Sequence, residues 1–202
     1  YLIWCESTRI AGIVDASVEL TEIFECIEAK NLILEKIFIT HTHFDHINYL
    51  GDIKYQFPQI QVCGFINPEE VLGANHRKLN HHEIIPLGSE MITALHTPGH
   101  YPDSMCFWNK KGNCVFTGDT MFVGRTGRTI GAKSNISHLY ASIYNELLKL
   151  PPKTIIYSGH HYGYKTSIAL KENISLSSFF QCTSEDEFIA VMDQFEKNRR
   201  RS

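Results

Sequence analysis

Residues 40 to 46 read Thr-His-Thr-His-Phe-Asp-His, placing His41, His43, Asp45 and His46 directly after the apolar run Lys36-Ile37-Phe38-Ile39-Thr40. Three imidazoles and a carboxylate delivered from one strand end suit zinc, iron or manganese, because calcium and magnesium prefer all-oxygen shells. Histidine-rich runs also occur as tags or as ordinary polar loops. The position of this one, well inside the chain between a strand-like and a helix-like segment, argues against a tag.

Three more residues of the same chemical kind follow apolar runs. His100 comes after the run ending at Thr97, Asp119 after the run ending at Thr117, and His160 after the run ending at Ser158. Singly, each is explained as a turn or loop residue. Together they repeat one arrangement, a potential ligand just past a strand's C-terminal end, where a rigid sheet holds loops firmly enough to position a metal. Seven candidates could fill two neighbouring sites with positions left for water. His96 lies within its strand and is expected to be packed or hydrogen-bonded. His76, His81 and His82 occupy a polar stretch without periodicity, read as loop, and are expected to be exposed.

The elements that must carry these residues are legible from hydrophobic period and turn chemistry. Residues 1–5 and 11–15 form a predicted hairpin, and a helix capped by Ser17 carries Leu20, Ile23, Phe24 and Ile27 at helical spacing. After the histidine cluster, Ile47, Leu50, Ile53 and Phe57 predict one helix that Pro58 stops, residues 60–65 a strand, and residues 67–70 the start of a short helix. The second half reads mostly as strands. Residues 91–97, 105–108 and 114–117 are separated by Pro98-Gly99-His100 and by the turn Lys110-Lys111-Gly112-Asn113, and residues 124–131 form a glycine- and arginine-containing loop. A helix capped by Ser137 follows with Leu139, Ile143, Leu147 and Leu150 on one side, then a strand at 154–158 and a final helix opened by a capping box of Ser184 and Glu187.

Length and composition bound the answer. A chain of 202 residues, 43% hydrophobic and 20% charged, suits one globular domain over residues 1–202, and its start at Tyr1 leaves room for a preceding piece. A net charge of -3 gives no case for nucleic acid, and the basic run at 199–201 reads as a solvated helix end. No apolar stretch approaches the ~20 residues of a membrane span. Six scattered cysteines without a CxxC pair suit buried thiols of the cytoplasm rather than a disulfide framework.

His-Thr-His-Phe-Asp-His at 41–46, Thr-Pro-Gly-His at 97–100, Thr-Gly-Asp-Thr at 117–120 and Ser-Gly-His-His at 158–161, in this order, resemble the metallo-β-lactamase superfamily. The stretch from Thr117 through Gly124 to Gly127-Arg128 is similar to the glyoxalase II (hydroxyacylglutathione hydrolase) branch and to the related persulfide dioxygenases. The resemblance implies an α/β fold, an αββα sandwich of two mixed sheets with helices outside. It also implies two divalent metal ions, zinc foremost and iron or manganese as alternatives, with His41, His43 and His100 on the first, Asp45, His46 and His160 on the second, and Asp119 between them.

The reaction implied is hydrolysis of an acyl thioester, S-acyl-glutathione or another small or carrier-bound one, by a metal-bridging hydroxide that Asp45 orients. Arg128 and Tyr162 match positions that hold the glutathione moiety. The loop departs from that pattern in reading Gly124-Arg125-Thr126-Gly127-Arg128 without the usual cysteine, in Thr129-Ile130, and in His161. The alternative is a mononuclear iron persulfide dioxygenase, suggested by Gly127-Arg128-Thr129 and a C-terminal helix at 184–198, with His41, His100 and Asp119 as its facial triad. A metal-binding module without turnover is the third reading.

Overall fold

Ile37, Phe38 and Ile39 are all buried yet face opposite ways, Phe38 into one apolar layer and its two neighbours into another. Strand side chains alternate across a sheet, so a near-continuous apolar run requires cover on both faces. That requirement recurs at Ile13-Val14, Val62-Cys63 and Val115-Phe116, and it fixes the layering of the molecule.

The computed structural model describes residues 1–17, 20–65 and 75–199. Its first sheet contains β1 (Leu2–Trp4), β2 (Ile10–Val14), β3 (Ile33–Phe38), β4 (Gln61–Gly64) and β5 (His76–Lys78) in that order. β1 and β2 form the expected antiparallel hairpin, and the remaining neighbours are parallel. Helix α1 (Thr21–Ala29) joins β2 to β3, while α2 (Phe44–Ile47) and α3 (Leu50–Gln56) lie between β3 and β4. Leu20, Leu50 and Ile53 cover the outer face of this sheet over Ile13, Ile37 and Val62.

The second sheet uses β6 (Ile84–Leu87), β7 (Glu90–His96), β8 (Met105–Asn109) and β9 (Cys114–Gly118), with a two-strand ribbon of β10 (Met121–Phe122) and β11 (Arg125–Thr126) beside it. Helix α4 (Ile136–Ala141) leads to β12 (Ile155–Ser158) and β13 (Ser167–Ala169), then α5 (Leu170–Leu176) and α6 (Glu185–Arg199). The spatial order is β13-β12-β9-β8-β7-β6. Leu139, Ile143, Phe188 and Met192 cover its outer face, and Phe38, Phe107 and Phe116 lie among the buried residues that join the two inner faces. The result is the αββα sandwich, two mixed sheets with helices outside.

Several expected boundaries move, each for a local reason. The single helix over 47–57 is two pieces, because the Tyr49 N–H bonds the Ala16 carbonyl at 2.8 Å instead of continuing the helical ladder. Asn135, not Ser137, caps α4 by accepting the His138 N–H at 2.9 Å, and beyond Ala141 the helix widens into a π turn before tightening into a 3-10 turn. Ser17 does not cap α1, which begins at Thr21 after Leu20. Residues 76–78, read as loop, are the edge strand β5, whose backbone pairing needs no apolar period. His76 is accordingly half-buried rather than exposed, whereas His81 and His82 are exposed as expected. The loop at 124–131 contains β11. Ser184 does accept the Glu187 N–H at 3.2 Å, but the Glu187 carboxylate returns to the Thr183 N–H, one residue before the cap. The helix expected to start at 67–70 lies outside the described residues.

Candidate metal centre

The parallel relations set where loops emerge. β7 and β9 each run antiparallel to β8, and β12 runs parallel to β9, so the C-terminal ends of β7, β9 and β12 share one rim. His100, Asp119 and His160 follow those three ends, and His41 to His46 follow β3 in the facing sheet. The Met105 N–H bonds the Thr40 carbonyl at 2.7 Å, and the buried Asp103 accepts the Thr42 N–H at 3.1 Å, so the two rims are tied together at the site.

All seven residues singled out from the sequence come together. His41 Nε2 lies 2.9 Å from His43 Nδ1, which lies 3.1 Å from His100 Nε2. His46 Nε2 lies 3.3 Å from His160 Nε2, and Asp45 Oδ2 lies 3.2 Å from the same His160 nitrogen. Asp119 stands between the groups, with Oδ1 3.3 Å from His46 and Oδ2 3.6 Å from both His100 and His160. Three ligand-grade groupings result, His41/His43/His100, His41/His46/Asp119 and Asp45/His46/His160.

Several of these rings are held from behind. The Nδ1–H of His46 donates to Asp15 Oδ2 at 2.7 Å, and that carboxylate also accepts the Thr40 N–H at 2.8 Å and the Thr40 hydroxyl at 2.7 Å. The Nδ1–H of His100 donates to the Arg128 carbonyl at 2.9 Å. With one ring nitrogen engaged in this way, the other presents its lone pair to the centre. Asp15 was not singled out in the sequence, although it too directly follows an apolar strand run. It adopts a left-handed φ of 59° that turns the chain and lets its carboxylate reach back under the cluster.

Electrostatics match a site for cations. Burial, and then the neighbouring imidazoles, push His41 well below the usual histidine value and lower His43 as well. Burial alone would lower His46, but pairing with Asp119 and Asp15 holds it up to about 10. Burial would raise Asp119, yet His46, His160 and His100 keep its carboxyl below the ordinary range. The donors fit divalent metal on two grounds. Ring nitrogens of His41 and His100 both converge on His43 Nδ1, at 2.9 and 3.1 Å, as imidazole donors around one ion do, and Asp119 Oδ1 is buried with no donor in hydrogen-bond geometry among the described residues. A further grouping, His81, His82 and Glu146, fits less well. His81 Nδ1 accepts the His96 N–H at 3.0 Å, which leaves the proton on Nε2, the atom facing Glu146. His96 itself stacks on Phe65 with ring centroids 3.5 Å apart, packed as expected.

Next to the donors opens a cavity of about 340 Å³, lined also by Phe122, Arg125, Arg128, Tyr162 and Arg199. Arg128 and Tyr162, expected at the substrate, are on its wall. Arg125 and Arg199 were not anticipated, since an arginine in a polar loop and one at a helix end carry no periodic or spacing signal. A second cavity of about 420 Å³ shares His43, His100 and Arg128 and extends past Tyr101 and Ile130.

Residues 1–160 match the metallo-beta-lactamase superfamily. A probable hydroxyacylglutathione hydrolase of Schizosaccharomyces pombe is 35% identical over 167 residues, which are 80% of this chain and 63% of that protein, so the chain spans less than two thirds of this relative's length. The probable polyketide biosynthesis zinc-dependent hydrolase PksB of Bacillus subtilis is 27% identical across 94% of this chain and 84% of its own. The crystal structure of ETHE1 from Myxococcus xanthus superposes with a TM-score of 0.85 at 33% identity, covering 96% of this chain and 84% of that one.

Proposed function

Because this chain belongs to the metallo-β-lactamase superfamily, we propose that it is a two-metal hydrolase of acyl thioesters, of the kind named in its hydroxyacylglutathione hydrolase relatives. The observation that carries this reading is the pair of ligand groups, His41/His43/His100 and Asp45/His46/His160, facing each other across Asp119. These residues would hold two divalent ions, zinc foremost. Such a pair, when bound, acidifies water toward neutrality and polarises a carbonyl oxygen.

The protein's own groups supply position and proton handling. Asp45 has a side chain 60% exposed and lines the cavity, so its carboxylate can accept a hydrogen bond from the attacking water and aim it at the thioester carbon. Asp15 and the Arg128 carbonyl fix the tautomers of His46 and His100, which keeps the donors in place as charge develops. Arg128 and Tyr162 line the cavity that receives the thiol portion. A thiolate leaves without strong acid assistance, and no buried general acid is needed at the leaving group. We place the activity in the cytoplasm, which six unpaired thiols suit. No helix of the described residues is long and apolar enough to cross a membrane.

A second reading, the iron-dependent persulfide dioxygenase, is supported by the 33% identity to ETHE1 across 96% of the chain. Metal analysis with paired assays separates the two. Two metal equivalents and hydrolysis of S-acyl-glutathione or S-acyl-pantetheine are expected, with Asp119→Ala losing metal and rate together. One iron per chain with oxygen uptake on glutathione persulfide would establish the second reading instead.

A further inference from the structure

Two cavities meet at the metal donors. Both are lined by His43, His100 and Arg128, and they part beyond these residues, one toward Phe122 and Tyr162, the other past Tyr101 and Ile130. A thioester carbonyl carbon has two substituents, the sulfur and the acyl chain. With the thiol portion in the first cavity, the acyl chain falls to the second. That cavity has a largely apolar free surface. The Tyr101 ring packs against His43 with centroids 4.3 Å apart, and Ile130, on the wall of the same cavity, is 53% exposed. An apolar side chain left open next to catalytic donors is surface that a ligand can cover. Polar groups of this wall are engaged elsewhere. The Ser134 hydroxyl donates to the Gly131 carbonyl at 2.7 Å, Arg128 Nε faces Glu196 at 3.3 Å, and the exposed Lys133 ammonium donates to the Tyr101 hydroxyl at 3.2 Å. The wall is also braced, because the Asn135 N–H bonds the Gly99 carbonyl at 2.8 Å and so ties the loop at 130–134 to the turn that carries His100 and Tyr101.

We infer that the second cavity receives the acyl chain, that Tyr101 and Ile130 set its specificity, and that the preferred substrates are thioesters of apolar, medium-length acyl groups rather than of short 2-hydroxyacyl groups. The inference rests on the thioesterase reading, which puts the carbonyl at the metals and the thiol in the first cavity. Size agrees, since a cavity of about 420 Å³ holds a chain of roughly six to eight carbons at ~30 Å³ each. Each methylene moved from water onto such a wall strengthens binding by up to about fourfold. A 2-hydroxyl would give up its hydrogen bonds to water for a wall whose Ser134 hydroxyl and Gly131 carbonyl are already paired with each other.

The test uses metal-loaded protein and the acetyl, 2-hydroxypropanoyl, butanoyl and hexanoyl thioesters of one thiol, pantetheine, with kcat/KM as the readout. In parallel, the uncleavable S-ethyl and S-hexyl thioethers of the same thiol are titrated by calorimetry. From acetyl to hexanoyl, kcat/KM is expected to climb roughly twofold to fourfold per methylene, and the S-hexyl thioether to bind correspondingly more tightly than the S-ethyl one. Ile130 is exposed, so Ile130→Ser leaves the core untouched. Ile130→Ser and Tyr101→Ala should each flatten both series, read as the hexanoyl-to-acetyl ratio within one variant so that a general loss of activity cancels. A flat series in the unsubstituted protein would overturn the inference while the thioesterase reading stood. So would an unchanged ratio in either variant, or a 2-hydroxypropanoyl ester cleaved faster than the hexanoyl one. If no thioester were cleaved but the thioether ratio held and was lost in Ile130→Ser, the thioesterase reading would fail and the apolar subsite would stand. With neither cleavage nor a thioether ratio, both would fall.

Discussion

Asp15 shows what a single residue contributes beyond the ligand sphere. Its carboxylate takes up two donors of Thr40 and one of His46, and removing it frees the His46 ring to rotate and change tautomer. Asp15→Ala is expected to weaken metal binding by roughly 10–100-fold, the usual effect of losing such a support, measured by competition against a chromogenic chelator. Affinity equal to the unsubstituted protein would show that Thr40 alone orients the ring. The same residues set a pH dependence. In the metal-free protein the His46 value is raised from 6.5 to about 10, so its pairing with Asp119 and Asp15 contributes stability fully below about pH 6.5 and loses it as pH climbs through about 10. A metal must displace that proton. Uptake should therefore release protons near neutrality, and affinity should go on rising until about pH 10, read from heats of binding in buffers of different ionisation enthalpy. The seven donors were legible in the sequence because each stands just beyond an apolar run. Asp15 obeys that rule too, but an aspartate after a strand reads as a turn residue, and its partner His46 is far along the chain. Arg125 carried no such signal, since nothing in its loop marks that it lines the cavity.

At the scale of elements, strand ends do the positioning and glycines let them approach. Gly118, at φ 47°, closes β9 against Thr40, where a Cβ would meet Thr40 Oγ1 at 2.5 Å. Gly159 follows β12, and a Cβ there would sit 2.6 Å from Asp119 Oδ1 and 2.7 Å from His46 Cε1. Gly159→Ala should therefore displace the Asp119 carboxylate and the His46 ring, both proposed to hold metal, while leaving the sheets intact. Metal content below that of the unsubstituted protein, with an unchanged melting temperature in excess chelator, is the expected pair of results; full occupancy would mean that the His160 loop yields instead. Strands were the more legible elements because two-sided burial writes continuous apolar runs into the chain. Helix ends were less so. The break between α2 and α3 depends on a bond from Tyr49 to Ala16, and the start of α4 on Asn135 rather than the nearer serine, both tertiary or local choices that periodicity does not encode.

At the scale of the molecule, the two sheets follow one another in the chain, the first built from residues 2–78 and the second from residues 84–169. The fold class was legible through the family that the four motifs, in their order, resemble, whereas β5 and the π turn in the helix after Asn135 were not, because neither has an apolar pattern of its own. His41, His43, Asp45 and His46 belong to the first sheet's share, and His100, Asp119 and His160 to the second's. A polypeptide severed in the exposed connection at 80–82 would yield two fragments, each holding only part of the three groups that include His41 or His46. Their reunion could then be followed by the appearance of stoichiometric metal uptake, which neither fragment should show alone, and chelator should drive the reassembled pair apart. The centre would thus serve as a reporter of complementation between halves, independent of any substrate.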